Sequence, residues 1–387
     1  MNLRILYIGF VLVAFLTNCK STNNNQANNA LDFQSELDDQ INENMPGILV
    51  SIITNDKNNY LEWSGASGYA DVKNEAKLSP DQTFRIASVT KTFVAATILR
   101  LWEDGKLKME DPISKYISEE HNSILKAGNY DPEEITIYHL LTHSSGLSDH
   151  TKSPKYKLEY LKLNSKWTRT EQLNDLVNFT TPAGKIGEKF LYSDTGYILL
   201  GEIIEAITHK PLGEAMVEQL KLKQLGLTNI YMEDIEGDYS GKRIHQYYEN
   251  EDTYHINPSL DYYGGGGLLA NTYDLCLFLQ YLFDHKVFRN SSTLSKMLTP
   301  VDYQGKQTLD YRIGIWETEI CGMPAYTHTG FWGTQVIYIP KIKTSIAVNY
   351  SQRWSNSSFA PIIPIIVEKT DMEMEFALKL ISKQKNN

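Results

Sequence analysis

This 387-residue chain has no excess of basic residues. It carries 37 Lys and Arg against 47 Asp and Glu, which gives a formal net charge of −10. Phosphate groups are bound by clustered Lys and Arg, so we expect neither a nucleic acid nor an anionic membrane surface as a partner. Internal repeats are also lacking, and 42% apolar with 22% charged residues is ordinary for a globular protein. The length allows one large domain or two ordinary ones.

Cysteine is scarce, with three residues in the chain. Cys19 belongs to the N-terminal segment described next, which leaves Cys276 and Cys321. Both lie among apolar or small neighbours in the sequence. Two remaining cysteines could form one disulfide, but two buried thiols are the simpler interpretation.

The apolar run near the N-terminus, residues 5–16, is too short to span a bilayer. The residues that end it, Leu16-Thr17-Asn18-Cys19, resemble a bacterial lipobox, although Asn18 stands where a small residue is usual. We therefore predict a lipoprotein-type signal peptide over residues 1–19, with Cys19 as the lipidated first residue of the mature protein. The alternative is a plain secretory signal with an incidental cysteine.

The Asn-rich residues 20–30 have almost no apolar content, which predicts a flexible tether, and residues 31–387 are predicted to form a single domain. This organisation places the protein in the cell envelope, on the periplasmic or outer face, or otherwise as a secreted protein. A lipid anchor would be its only attachment to the membrane, and we expect a monomer.

The most informative feature present is Ser88-Val89-Thr90-Lys91 at the start of a long apolar helical run that ends at Gly105. The backbone N–H of a serine at a helix start has no partner within the helix and can hold an oxyanion. A lysine three residues later lies on the same face, where burial makes its amine easier to deprotonate. This pair predicts a serine nucleophile activated by lysine.

The same spacing occurs in Ser123-Ile124-Leu125-Lys126 and Ser382-Lys383-Gln384-Lys385, neither of which opens a strongly apolar helix. Spacing alone would favour a helix-capping serine with a lysine that reaches solvent. The apolar context after Lys91 and two later motifs favour the nucleophile.

Strand patterns occur at both ends of the folded part, at residues 47–53 and 60–63 and at residues 335–339 and 344–350. Helices are predicted over residues 31–44 and 372–383, and residues 88–283 are mostly helical with long loops. The fold class is therefore α/β (α+β): an antiparallel sheet built from both chain termini and flanked by helices, with an inserted, mostly helical region.

Tyr192-Ser193-Asp194 precedes a helix, where the Tyr192 phenol can point into a cleft. A lysine ammonium beside it would favour the phenolate, so Tyr192 is a candidate for proton exchange near neutral pH. The simpler alternative is that Asp194 caps the helix and Tyr192 packs.

His328-Thr329-Gly330-Phe331 leads into the C-terminal hairpin, and an edge strand that ends in glycine lets a substrate backbone approach closely and pair with it. His328 is expected to face the same cleft, and N–H groups of this strand would supply a second oxyanion donor. An ordinary strand histidine with a satisfied hydrogen bond is the alternative.

The three motifs, in this order, resemble those of the serine β-lactamase and penicillin-recognising superfamily, in the branch of class C β-lactamases, D-alanyl-D-alanine carboxypeptidases, D-aminopeptidases and related esterases. Two further segments, residues 135–147 and 264–275, are similar to that family. The resemblance covers about residues 31–380 and implies an antiparallel sheet flanked by helices, with the active site between the sheet and a helical region.

The resemblance also implies roles. Ser88 would be the acylated nucleophile, and Lys91 and Tyr192 would share the proton transfers. Thr329 and Gly330 would line the substrate-binding strand, and the N–H groups of Ser88 and Phe331 would form the oxyanion hole. No cofactor or metal is expected. Which of Lys91 and Tyr192 is the general base stays open.

Two positions depart from the family pattern. Asp194 replaces an amide, and a carboxylate near Lys91 would hold that lysine protonated. His328 replaces the lysine of β-lactamases, so attraction for a substrate carboxylate should be weaker and should depend on pH between about 6 and 8. His139 and His143 have the spacing of metal ligands on a helix, but a metal site is not expected there.

The leading hypothesis is a serine hydrolase that forms an acyl-enzyme from small esters or D-amino-acid peptides. The alternatives are a class C-type β-lactamase and a non-catalytic lipoprotein that binds cell-wall ligands. The complete serine, lysine and tyrosine set argues against a pseudoenzyme.

Overall fold

The protein is represented by a computed structural model that describes residues 33–56, 59–159, 162, 165–235, 243–303, 310–353, 363, 366–367 and 369–370. Cys19, the segment 1–30 and the helix predicted over residues 372–383 lie outside these residues. Within the ranges just given, no helix combines the length and the apolar character needed to cross a membrane.

Most of the long strands lie near the two ends of the described chain, and most of the helices lie between them. The strands are β1 Gly47–Asp56, β2 Asn59–Asp71, β3 Ala76–Lys77, β4 Phe84–Arg85, β5 Tyr231–Met232, β6 Tyr247–Tyr248, β7 Glu251–Asp252, β8 Leu268–Ala270, β9 Trp316–Ile320, β10 Met323–Thr329, β11 Thr334–Ile339 and β12 Thr344–Tyr350. The α-helices are α1 Phe33–Asp38, α2 Thr90–Glu103, α3 Glu119–Ala127, α4 Ile137–Leu141, α5 Pro154–Glu159, α6 Arg169–Phe179, α7 Asp194–Thr208, α8 Leu212–Gln219, α9 Thr272–Phe283 and α10 Ser291–Leu298.

The main sheet joins the two ends of the folded part, as predicted. Its strand order is β3-β2-β1-β12-β11-β10-β9 within the described residues. The central pair is antiparallel and runs from Ile48 opposite Tyr350 to Thr54 opposite Thr344. The prediction that the strand before Gly330 is an edge strand is wrong, because β10 lies between β11 and β9. Its pairing with β9 ends at Thr327, whereas its pairing with β11 continues to Thr329.

The near-continuous apolar run of β1 follows from burial on both sides of the sheet. Ile48 and Val50 pack with Phe33 and Leu37 of α1 on one side, while Leu49 belongs to the larger core on the other side. Each such side chain contributes about 1.5–3 kcal/mol when it is fully buried. Both sheet faces therefore stabilise the fold.

Helix α2 is the centre of the helical region, because every residue from Thr90 to Leu101 is buried. It ends at Glu103, and Gly105 takes a left-handed backbone (φ 66°) that glycine adopts without strain. Helix α9 covers the other part of the sheet, where the Cys276 thiol donates to the Ser51 carbonyl oxygen at 3.2 Å. No disulfide joins Cys276 and Cys321, and Cys276 is buried whereas Cys321 is half-buried.

Two predictions about local structure need correction. The first helix is shorter than residues 31–44, because Asn42 pairs with Met45 and its side chain accepts the Asn44 N–H at 2.9 Å, a local bond that competes with helix. The mostly helical middle also contains a small sheet in the order β4-β8-β5, which the sequence pattern does not reveal. That sheet supports the turn that carries Ser88.

Candidate active site

Ser88 lies on a tight turn between β4 and α2. The backbone N–H of Ile86 donates to the Leu268 carbonyl oxygen of β8 at 3.1 Å, which ends the small sheet. Ala87 then takes a left-handed backbone (φ 45°), and a 3₁₀ turn, Ala87–Val89, leads into α2. A non-glycine residue in this conformation costs about 1–3 kcal/mol and persists only where its surroundings enforce it. The turn places Ser88 at a helix start, as predicted.

Lys91 is completely buried, and three oxygen atoms lie close to its Nζ. Its Nζ donates to Ser88 Oγ at 2.9 Å and to the Gly265 carbonyl oxygen at 2.6 Å. It also forms an ion pair with Asp194 Oδ1 at 2.5 Å. The structure therefore brings Ser88, Lys91 and Asp194 into one contact group, with the lysine between the hydroxyl and the carboxylate.

Tyr192 lies beside this group, with Lys91 Nζ 5.1 Å from the centroid of its ring. Burial and the Asp194 carboxylate raise the pKa of the Tyr192 phenol well above its ordinary value, although a hydrogen bond with Ser88 lowers it. The expectation that the lysine makes the phenolate accessible near neutral pH is therefore wrong. Tyr192 is therefore a neutral phenol at pH 7, and in this state it can donate a proton.

The end of β10 lies against the Ser88 turn. An added Cβ at Gly330 would stand 2.1 Å from the Ile86 carbonyl oxygen, so only glycine fits at this approach. Phe331 packs against the buried cluster that contains Ala87 and Trp332. Thr329, Gly330 and Phe331 thus follow one another along the rim of the turn, in the position that the resemblance implies.

His328 does not behave as expected. Its side chain is fully buried, its Nδ1 donates to the Thr329 carbonyl oxygen at 2.9 Å, and its ring meets Tyr311 edge-on. Burial and the charge of Lys91 lower the pKa of His328 to about 3. The predicted pH dependence between 6 and 8 is therefore wrong, because His328 stays neutral throughout that range.

Carboxylates outnumber cations around the nucleophile. The Asp194 N–H donates to Asp149 Oδ2 at 3.0 Å, and burial together with the Asp194 carboxylate raises the pKa of Asp149. Burial also raises the pKa of Asp261 to about 7, against the opposing effect of Arg85. Arg85 itself is paired with Glu233 at 2.7 Å. Lys91 is thus paired with the Asp194 carboxylate, which in turn acts electrostatically on the Asp149 and Asp261 carboxyl groups.

His139 and His143 do not share a helix, because α4 ends at Leu141 and His143 has a left-handed backbone (φ 53°). The His139 Nδ1 accepts the Thr136 N–H at 3.1 Å and caps α4. The His143 Nδ1 accepts the Ser193 N–H at 3.2 Å, next to Tyr192. Among the residues that the structure describes, no group of three or more His, Cys, Asp or Glu side chains could hold a metal ion.

Sequence reasoning missed three contributions to the site: the Gly265 carbonyl oxygen that binds Lys91, the Asp149 carboxyl behind Asp194, and the His143 side chain. The segment with Gly265 was noted only for its similarity to the family, and His143 was noted for that similarity and for its spacing from His139, not for a contact with this site. A backbone carbonyl has no residue-type signature, so only the position of the glycine-rich segment could have indicated the first.

Gly330→Ala should displace the end of β10 from the Ser88 turn, because the new methyl group would overlap the Ile86 carbonyl oxygen at 2.1 Å. We expect a loss of about 1–3 kcal/mol in the free energy of unfolding and an acylation rate lower by roughly 10–100-fold. Thermal unfolding and the rate of labelling by a fluorophosphonate measure both. Gly196→Ala is the control, since its methyl group would lie 3.6 Å from Leu140. Equal labelling rates in the two variants would contradict the close approach.

Comparisons with known proteins place this chain in a family. The Beta-lactamase family profile matches residues 33–368. The human serine beta-lactamase-like protein LACTB, mitochondrial, is 24% identical over 352 residues, which cover 69% of this chain and 62% of that protein, so the chain spans less than two thirds of this relative.

Among solved structures, the D-amino acid amidase from Ochrobactrum anthropi SV3 is similar with a TM-score of 0.70 and 21% identity, covering 89% of this chain and 99% of that one. The D-stereospecific amidohydrolase from Streptomyces sp. has a TM-score of 0.70 and 22% identity, covering 84% and 95%. These two likenesses support the fold, and the profile match supports the family. The chain belongs to the Beta-lactamase family.

Proposed function

We propose that the protein is a serine hydrolase that forms an acyl-enzyme on Ser88 and acts on small esters and on amides or peptides of D-amino acids. One observation carries the proposal: Ser88 Oγ, at the start of a helix, is 2.9 Å from the Nζ of the completely buried Lys91. This is the geometry of a nucleophile with its proton-transfer partner already in place. A solvent-exposed helix cap would not need a buried lysine.

In the proposed reaction, Ser88 Oγ attacks the substrate carbonyl carbon and its proton passes to Lys91. The amine must first be free of one proton, and Asp194 at 2.5 Å is the nearest acceptor for it. The N–H groups of Ser88 and Phe331 stabilise the oxyanion. The neutral Tyr192 phenol is suited to protonate the leaving group, and the proton that Lys91 took from Ser88 then restores the phenol. Water cleaves the acyl-enzyme and returns the proton to Ser88.

The charges of the site favour substrates without a carboxylate at the β10 position. His328 is neutral at working pH where β-lactamases usually carry lysine, and Lys91 is already paired with Asp194. Both solved structures described above are named for D-amino-acid or D-stereospecific hydrolysis, which agrees with an amide of a D-amino acid. Slow or absent β-lactam turnover follows from the missing cation.

One observation favours the second candidate, a β-lactamase or carboxypeptidase that binds a carboxylate. The Arg353 guanidinium lies 3.5 Å from the centroid of the Phe331 ring and 5.0 Å from that of Tyr248. It is therefore near the end of β10. A cation at this place could replace the charge that His328 lacks.

A substrate panel on the full chain separates these candidates. We expect p-nitrophenyl esters and D-alanyl amides to be turned over faster than a chromogenic cephalosporin. Because His328 stays neutral, it should cause no change in these rates between pH 6 and 8. The Ser88→Ala protein supplies the background for every substrate. Cephalosporin hydrolysis that far exceeds ester and D-amide cleavage would promote the β-lactamase candidate. A panel without Ser88-dependent turnover would favour the non-catalytic alternative.

A further inference from the structure

His143 contacts three consecutive residues around the Tyr192 phenol. Its backbone carbonyl oxygen accepts the Leu191 N–H at 2.7 Å, and its Nδ1 accepts the Ser193 N–H at 3.2 Å. Its ring lies 4.3 Å from the Tyr192 ring, centroid to centroid, at an interplanar angle of 31°. His143 therefore fixes the backbone on both sides of Tyr192 and also packs against the Tyr192 ring.

These contacts of His143 with Leu191, Tyr192 and Ser193, which we call the His143 clamp, take the place of regular secondary structure. Residues 190–193 belong to no helix or strand, and α7 begins only at Asp194. A tyrosine in such a segment has no sheet or helix hydrogen bonds to fix the direction of its side chain. Its position must come from tertiary contacts, and those of His143 lie immediately before it, after it and against its ring.

The chemistry of a neutral imidazole suits this task. A buried Nδ1 that accepts a backbone N–H must be unprotonated, and the proton then lies on Nε2. His143 is 1% exposed, and burial together with the charge of Lys91 lowers its pKa well below the ordinary value. The acceptor is therefore present throughout the neutral range.

We propose that His143 is a positioning residue that fixes the Leu191–Ser193 segment and thereby aims the Tyr192 phenol at Ser88. The proposal rests on the proposed function for its kinetic consequences. His143 itself transfers no proton in this role, and it acts on the reaction through Tyr192 alone.

Two substitutions distinguish a role of the His143 hydrogen bond from a role of side-chain packing alone. His143→Asn keeps an acceptor oxygen near the place of Nδ1, and asparagine tolerates the left-handed backbone. His143→Ala removes both the acceptor and the ring. We expect kcat on an ester to fall roughly 10–100-fold in the alanine variant with KM little changed, and the asparagine variant to recover most of this loss. The matched control is His209→Ala, since His209 is exposed and has the same backbone (φ 54°).

A double-mutant cycle tests whether His143 works through Tyr192. In a Tyr192→Phe background, His143→Ala should have little further effect on kcat, because the phenol that it positions is already gone. A loss that multiplies with that of Tyr192→Phe would overturn the proposal. So would equal kcat losses in the asparagine and alanine variants, or an unchanged kcat in the alanine variant of an active enzyme.

Amide hydrogen exchange tests the contacts of His143 without requiring enzyme turnover. The Ser193 amide should exchange about tenfold faster or more in His143→Ala than in the wild type, and close to the wild-type rate in His143→Asn. If the wild type shows no Ser88-dependent turnover, the proposed function fails, whereas the clamp is still supported or refuted by this measurement. Equal protection of Ser193 in all three proteins refutes it.

Discussion

Ser88→Ala should abolish labelling by a fluorophosphonate or a fluorescent penicillin and should lower turnover by roughly a thousandfold or more, since the residues of such a site act as a unit. The reason is geometric. Ser88 Oγ accepts from the buried Lys91 Nζ at 2.9 Å, and its own N–H lies at the start of the turn that leads into α2. Alanine keeps this backbone and removes only the oxygen that would be acylated. Gel fluorescence and steady-state kinetics measure the loss.

The chain provides a matched control for this experiment in its second copy of the same spacing. Ser123 and Lys126 lie on α3, both exposed, and Lys126 pairs with Glu133 at 3.6 Å instead of contacting the serine. Ser123→Ala should therefore leave labelling and turnover at the wild-type level. Equal labelling of the Ser88→Ala and wild-type proteins would remove the proposed nucleophile, and with it the acyl-enzyme.

The comparison of these two serines shows what the pattern alone can predict. The apolar run after Lys91 predicts a buried helix, and α2 is buried from Thr90 to Leu101. Segment 123–126 lacks that run, and α3 accordingly leaves its serine in solvent. The sheet built from both ends was predictable for a similar reason, because β1 carries a near-continuous apolar run and β12 has Ile346-Ala347-Val348 at its centre.

What the pattern could not predict comes from elements too short for periodicity. Strand β4 has two residues and β8 has three, yet together they set the turn at Ala87. A left-handed alanine is not visible in a sequence, since alanine occurs in every kind of element. The strained turn in front of Ser88 is therefore a property of the packing around it.

The electrostatic expectations failed because a sequence shows which charges exist but not how deeply they are buried. The neighbouring lysine was expected to favour ionised Tyr192, but desolvation is the larger effect and raises the pKa of the phenol. The same effect lowers the pKa of His328 to about 3 and removes its predicted titration near neutral pH. The contact between Asp194 and Lys91 agrees with the expectation, because the motifs of the family resemblance place both residues in one site.

Lys91→Met should inactivate the enzyme almost as completely as loss of the nucleophile, with labelling of Ser88 slower by roughly a thousandfold. Methionine fills a similar volume in the completely buried site but removes the amine that contacts Ser88 Oγ, the Gly265 carbonyl oxygen and Asp194. It also leaves the Asp194 carboxylate without its cation, next to the Asp149 carboxyl, so the variant should unfold at a lower temperature. Labelling rates and thermal unfolding are measured together.

Lys91→Arg separates the positive charge from the proton transfer. A guanidinium preserves the charge beside Asp194 but is never deprotonated in proteins, so it should not restore acylation even where it restores folding. Lys126→Met, at the exposed lysine of α3, is the control for replacing a lysine in the same spacing and should behave as the wild type. Recovery of labelling by the arginine variant would show that Lys91 acts only as a charge. The base would then have to be another group, and Tyr192, although a neutral phenol at pH 7, would be the first to test.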